Sequence, residues 1–459
     1  MGRTTVSMTT DDAVRAQPQT TPGAGLIGLR LGALFGPVIF GVTAAGVALP
    51  DVAMAMEVRP AVAAWVLTSH ALALGVGTAL FGRLSEKWGV RNTVLVGSAL
   101  LAVGAVLILV ASEFGLLIAG RFVQAAGSGA ITSSALTLAA ATAPAIRPKI
   151  LAIFGATMAL FSSSATLMGG MVTDWWHWRV TLVLPALSLA VVPFCLKLAA
   201  TRPGFGKAVD LVGGTLLGTG ATSLLLLIQA STLDLSTPLV ITLAVLLAVS
   251  VVGLFWHINR RPDGFVPKPL ATDRTFLIAA VVGLGGYAGL FAAMYAVPQI
   301  LAMQYGWGVF KIGAWLLPGA VVGAVCSRLA SKLTLTKGGS FLLSGVALSS
   351  AVFLAIVGMV EGGIVVMLIG TSMGMATFAV TQVVATAVLS SRLEPLQRGG
   401  AMGVLNLLFF VGGGIGSAAA GTLSEHMQIT SALAWLAILP LVGALFALLL
   451  PPARPQQEA

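Results

Sequence analysis

The chain has 459 residues, of which 57% are hydrophobic and 9% charged, and its mean hydropathy is +1.00. A soluble domain carries roughly 25% charged residues; here there is too little charge to cover a soluble protein of this length, so the composition specifies an integral membrane protein. The balance of 25 Lys+Arg against 15 Asp+Glu would point to nucleic acid in a soluble protein, but in a membrane protein it reflects basic loops retained on one side, and no nucleic-acid partner is expected.

Residues 1–24 are polar and Thr-rich, with Asp11, Asp12 and Arg15 and no apolar core. They read as a disordered cytoplasmic tail, not a cleaved signal peptide. A span needs roughly 17–25 mostly apolar residues, and reading for such runs gives fourteen. The first six lie at about 31–50, 61–82, 92–112, 115–142, 149–172 and 179–200. Two more follow at 209–230 and 237–257, and the last six at 275–299, 311–331, 338–359, 362–391, 400–422 and 430–450. Residues 451–459 form a second tail.

The loops alternate in charge. One set carries Arg83, Lys87 and Arg91, then Arg147 and Lys149, Lys197, Arg202 and Lys207, Arg260, Arg261, Lys268 and Arg274, Arg328, Lys332 and Lys337, and Arg392 and Arg398; the other holds only Arg59, Arg179 and Lys311. The positive-inside rule then places both termini in the cytoplasm, as an even number of spans requires.

The expected architecture is an all-α membrane fold of two six-helix bundles, 25–200 and 273–450, with two helices inserted at 201–272. The segment Arg83-Leu84-Ser85-Glu86-Lys87 after span two is echoed by Arg328-Leu329-Ala330-Ser331-Lys332 after span ten. Two repeated bundles rocking about a central site are the architecture of a secondary transporter; chance likeness of two basic loops is the alternative. The 55 glycines fit close helix packing, and there is no phosphate-binding loop of the G-x-x-x-x-G-K-[ST] type. Cys195 and Cys326 lie far apart in apolar stretches and read as packing thiols. No nucleophile–base pair or metal cluster is evident, so neither an enzyme nor a metal site is expected.

Span two closes in Gly82-Arg83-Leu84-Ser85-Glu86-Lys87-Trp88-Gly89-Val90-Arg91-Asn92, which resembles the signature loop of the major facilitator superfamily. The glycines are expected to permit a tight turn, and the acid to face a helix N-terminus or a basic partner, latching the halves in one state. The residues of this candidate latch are Gly82, Arg83, Glu86, Lys87, Gly89 and Arg91, with Glu86 where the family usually has Asp. Val47-Ala48-Leu49-Pro50, Trp65-Val66-Leu67-Thr68, Arg121-Phe122-Val123-Gln124-Ala125-Ala126-Gly127 and the Trp-rich Trp175-Trp176-His177-Trp178-Arg179 are similar to segments of the fourteen-helix drug:proton antiporters. That branch includes Gram-positive tetracycline and multidrug exporters. The tryptophans also fit an interfacial aromatic belt. Span five departs from the family's Gly-Pro-rich antiporter motif, with Thr166 at the Pro position and the Gly169-Gly170 pair kept.

All fifteen acids fall in loops, tails or at span ends. Ionisable residues within a membrane are candidates for function by default, and two remain. Arg121, about two turns inside span four, reads as a fixed charge beside a central cavity or as a structural arginine bonding helix carbonyls. His70, in the middle of span two, reads as a proton carrier or as a histidine bonded between helices. Asp51 at the outer end of span one is a third proton candidate, with a plain helix-end charge as its alternative. Asp210, opening span seven, reads as a helix cap. Gln124, Tyr287, Tyr295, Gln299, Trp315, Gln382 and Asn406 are candidates to line a substrate cavity, although single amides and tyrosines also glue helices together.

The expectation is a monomeric, multi-pass secondary transporter of the bacterial cytoplasmic membrane, exporting a small amphiphilic compound by alternating access. The resemblance implies antiport against protons and no cofactor. With no acid in the interior, neutral or anionic compounds fit better than cations. The rivals are an uncoupled facilitator or importer, and a non-transporting sensor or scaffold on a transporter fold.

Overall fold

The computed structural model describes residues 23–140, 142, 146–206, 208–359, 363–393 and 395–454. Most of the expected tail 1–24 and residues 455–459 lie outside these, as do Lys207, Glu361 and Glu394. Every regular element among the described residues is helical.

Among the described residues, thirteen helices are long and apolar enough to cross a membrane. They run Ala24–Ala55, Pro60–Trp88, Val90–Val110, Phe114–Ala139, Lys149–Trp175, Leu211–Ile228, Thr237–Arg260, Arg274–Met303, Val309–Leu333, Lys337–Met359, Ile364–Ser390, Gly400–His426 and Ile429–Ala447. A further pair, Trp178–Ala190 and Val192–Ala200, is bent by 46° and falls at the expected sixth span. Counted as one, it makes fourteen spans in the expected order.

Two spans are irregular where the sequence reading had them continuous. Span one begins at Ala24, earlier than expected, so that Arg30 lies within the helix and over the Phe194 ring. It tightens into a 3-10 segment at Gly36–Gly41, beginning where Pro37 withholds a backbone N–H. Span six does the same over Leu184–Ala190 at Pro185, and its final helix opens with Pro193. A 3-10 register would return Leu182's carbonyl to residue 185, which has no N–H to give. Both breaks leave carbonyl oxygens for other partners.

Within the N-terminal half, span four packs along spans two and three, and span one along span five. In the C-terminal half span nine packs on spans twelve, thirteen and fourteen. Between the halves, spans two and thirteen, five and ten, and one and nine lie against each other. Gly75 meets Leu407 and Phe410 on span thirteen, Gly170 meets Val309 and Phe310, and Gly46 meets Met294. Such small-residue contacts let helix backbones approach where lipid offers no hydrophobic drive. The inserted pair is peripheral. Span eight is only 11% buried against 89% for span two, while span seven packs on both span two and span thirteen, setting Leu225 on Gly414.

Below, the side bearing most of the basic loops is the basic face and the opposite side the far face.

Candidate functional site

Arg121 is fully buried in span four. Its Nε donates to the Val66 carbonyl on span two at 3.3 Å, and Nη1 to the Leu182 carbonyl on span six at 3.3 Å and to Gln124 Oε1 at 2.9 Å. Nη2 donates to the Gly41 carbonyl on span one. Gln124, one turn along, also donates to Leu182, at 3.0 Å. The two irregular spans thus supply two of the three carbonyl oxygens that receive the guanidinium: Gly41 ends the 3-10 segment of span one, and Leu182 precedes that of span six. Of the two roles open for Arg121, the geometry is that of the structural arginine, joining four spans. Among the described residues the cation is met by dipoles and not by an acid, each charge-assisted bond being worth about 1.5–3 kcal/mol.

His70 lies at the edge of this cluster, fully buried. Its ring rests on Gly41, where a methyl group would collide with the imidazole. Arg121 is the charged group that acts on it. Neither ring nitrogen has a hydrogen-bond partner among the described residues. Gly41 therefore serves two residues at once, its carbonyl bonding Arg121 and its missing side chain making room for His70.

The C-terminal half gathers three of the expected cavity residues. Tyr287 Oη on span nine donates to Gln382 Oε1 on span twelve at 2.9 Å, and Gln382 Nε2 donates to Asn406 Oδ1 on span thirteen at 3.1 Å. Asn406 donates in turn to the Met402 carbonyl. Around the tyrosine ring stand Phe378, Phe409, Phe410 and Phe291, with ring centroids 4.4, 5.1, 5.4 and 6.5 Å away. These phenylalanines carry no signal in an apolar sequence. Phe410 reaches Gly75 of span two, so the aromatic cluster meets the other half five residues from His70, roughly 7.5 Å along the helix.

The other expected residues stand apart. Tyr295 on span nine bonds Ser424 on span thirteen at 3.0 Å, and Gln299 donates to the Tyr295 carbonyl at 3.1 Å within span nine, both toward the far face. Trp315 does not join the cluster: it is 52% exposed and packs on Trp307, whose ring Lys311 covers. That is the arrangement of an interfacial belt, as is that of the exposed Trp175 and Trp176. Asp51, half-buried near the far end of span one, faces Asp174 and His177. None of the described acids lies in the middle of a span.

At the basic face the expected latch is in part a different object. Gly82 does not turn the chain; it lies within the helix of span two, and a side chain there would meet nothing within 4 Å among the described residues. Gly89 alone makes the turn, with φ at +85°, and a side chain there would strike the backbone of 202–204. Lys87 and Arg91 are exposed. Glu86 lies 3.8 Å from Arg83. Arg83 donates to the Phe265 carbonyl at 3.1 Å, in the link behind the inserted pair, and its guanidinium packs on Gly400 at the start of span thirteen.

The N–H of Phe265 donates to Asp210 at 2.9 Å. Asp210 also accepts from Gly213 N at 3.1 Å, as the expected cap, and lies 2.8 Å from His257 Nε2. Burial raises the Asp210 carboxyl, but the donors Phe265, Gly213 and His257 outweigh it and hold the group below its ordinary range.

Comparison with known proteins fits this architecture. Residues 31–388 match the family model of the Major Facilitator Superfamily. The chain belongs to the Major Facilitator Superfamily. Among its relatives is the MFS-type transporter YfiU of Bacillus subtilis, 27% identical over 317 residues, covering 65% of this chain and 60% of that protein. EfpA of Mycobacterium tuberculosis, another MFS-type transporter, is 28% identical over 68% of this chain and 61% of its own length. The puromycin resistance protein Pur8 of Streptomyces alboniger is 26% identical over 84% of this chain and 79% of its own length. The matched region thus spans about three fifths of the first relatives' length. The same fold occurs in the crystal structure of a POT family transporter in complex with a thioalcohol-conjugated peptide, with TM-score 0.68 at 14% identity over 93% of this chain and 96% of that one.

Proposed function

We propose that this superfamily member is a proton-coupled antiporter of the bacterial cytoplasmic membrane, with both termini in the cytoplasm. It exports a small amphiphilic compound, neutral or anionic, by alternating access. The observation that carries the reading is the Tyr287–Gln382–Asn406 chain set in four phenylalanines. It offers amide and hydroxyl groups and aromatic faces, and no carboxylate for a desolvated cation. A flat, partly polar molecule would stack on the rings and exchange hydrogen bonds with the amides. The puromycin resistance protein Pur8 among the relatives supports a role in resistance to a small molecule.

Protons enter this account through His70. An imidazole can take up and release one proton, and this one sits with both nitrogens unbonded among the described residues, beside the Arg121 clasp, at the centre of the span that packs along span thirteen. Arg121 positions the site by holding spans one, two and six around it.

The test has two stages. An export panel in a transporter-deficient host compares puromycin and neutral, anionic and cationic compounds, ethidium among them. Proteoliposomes then measure flux of the best compound with and without a pH gradient. Efflux of a neutral or acidic compound that the gradient accelerates is the expected result. Efflux of ethidium alone contradicts the substrate class, and flux indifferent to the gradient makes the protein an uncoupled facilitator.

A further inference from the structure

Span two has an arginine at each end, and each reaches the same two bodies. At the basic face Arg83 touches Phe265, behind the inserted pair, and Gly400 on span thirteen. At the far face Arg59, in the turn before span two, does the equivalent with charged partners. Its Nη1 is 2.7 Å from Glu425 Oε1, near the end of span thirteen. Its Nη2 is 3.1 Å from Asp234 Oδ2 and donates to the Thr232 carbonyl at 2.6 Å. Thr232 and Asp234 belong to the turn between the two inserted spans.

That turn is built for the contact. Asp234 holds a left-handed backbone, φ +51°, which residues other than glycine adopt at a cost. The turn is also fastened to span thirteen, Thr232 Oγ1 donating to Thr422 Oγ1 at 3.2 Å and Thr422 to the Ile228 carbonyl at 3.0 Å. Arg59 is thus the N-terminal half's charge in a four-residue junction whose other members lie on span thirteen or in the turn bonded to it. A single exposed ion pair contributes little, but two acids and a carbonyl sharing one guanidinium form a network.

We propose that Arg59 is the gate residue of the far face, tying the halves together through Glu425, and that the turn of the inserted pair holds it there through Asp234 and Thr232. Alternating access parts the halves at one face at a time, so opening the far face must break the Arg59–Glu425 contact. The inserted spans then have a task at both ends: they supply Phe265 to the basic-face latch and Asp234 to the far-face gate. This inference concerns gating alone, and its test needs neither a substrate nor proton coupling.

Ser417 reports on the gate. It is fully buried on span thirteen, its hydroxyl 2.8 Å from that of Thr68 on span two. The full chain, with Cys195 and Cys326 replaced by alanine and carrying Ser417→Cys, is reconstituted in proteoliposomes and exposed from the far face to a membrane-impermeant thiol reagent. Adding Arg59→Gln is expected to speed the reaction by about tenfold, and Glu425→Gln or Asp234→Asn by about threefold each, as befits a network of modest pairs. Arg59→Lys, keeping the charge, stays within about threefold of the unmodified gate. An unchanged rate in Arg59→Gln overturns the gate. An unchanged rate in Asp234→Asn, with Arg59→Gln fast, overturns the role of the inserted pair. If Arg59→Gln fails to fold, Glu425→Gln decides the gate by the same criterion.

Discussion

The two halves of the interior solve different problems. In the N-terminal half the polar core is a buried cation, Arg121, bonded to three backbone carbonyls and one amide, with an unbonded histidine beside it. In the C-terminal half it is a neutral chain, Tyr287 to Gln382 to Asn406, walled by phenylalanines. The first arrangement spends a charge on fixing helix geometry and leaves one titratable ring. The second is a chain of hydroxyl and amide groups bonded to one another and packed among aromatic rings. On the proposed reading, coupling belongs to one half and recognition to the other, and each part of that reading can be broken separately.

The largest effect is expected at the clasp. Arg121→Gln removes a buried charge and most of its bonds to spans one, two and six, costing roughly 2–5 kcal/mol of stability. Thermal unfolding in detergent reads this directly. Arg121→Lys should not restore it, because one ammonium cannot span carbonyls on three helices. By contrast Asn406→Leu, which breaks a chain of neutral groups, should cost no more than about 1–2 kcal/mol. Equal losses at the two positions would erase the distinction between a structural clasp and a binding surface.

Recognition comes next. Tyr287→Ala removes the ring at the centre of the aromatic wall and should raise the half-saturating concentration of the exported compound about tenfold. Tyr287→Phe, which keeps the ring and loses only the bond to Gln382, should raise it about threefold. Neither should alter the dependence of flux on the pH gradient. A change in that dependence would move part of the coupling into the C-terminal half.

The smallest effect is at the basic face. Folding holds the Asp210 carboxyl below its ordinary range, so its contribution is full above that range and is lost as pH falls through the lowered value. Asp210→Asn should therefore cost about 1–2 kcal/mol at neutral pH, and the difference from the native protein should vanish in acid. Unfolding curves across pH measure both. A deficit that persisted in acid would assign the effect to packing and not to the ionised carboxylate.

Span number and order followed from apolar runs and alternating loop charge, since the basic residues, Arg30 and Arg121 apart, lie in loops, tails or at span ends. Tyr287, Gln382 and Asn406 were identifiable one by one as polar residues in apolar spans, but their joining required three helices to converge. Phe378, Phe409 and Phe410 were invisible because a phenylalanine in an interior aromatic cluster and one facing lipid read alike in sequence. The breaks in spans one and six rest on Pro37 and Pro185, and neither was distinguishable from a tolerated proline in a continuous span. Arg59 read only as a minor orientation signal, because its partners Asp234 and Glu425 lie 175 and more residues away in sequence. Local motifs carry local geometry; contacts between halves are written in no single segment.

The division between halves is tested most directly by His70→Gln in proteoliposomes. The readout is accumulation of the exported compound driven by an imposed pH gradient, alongside its exchange without a gradient. The account predicts that exchange persists, because the Tyr287 cluster is intact, while gradient-driven accumulation disappears. Accumulation at the native level in His70→Gln would contradict it.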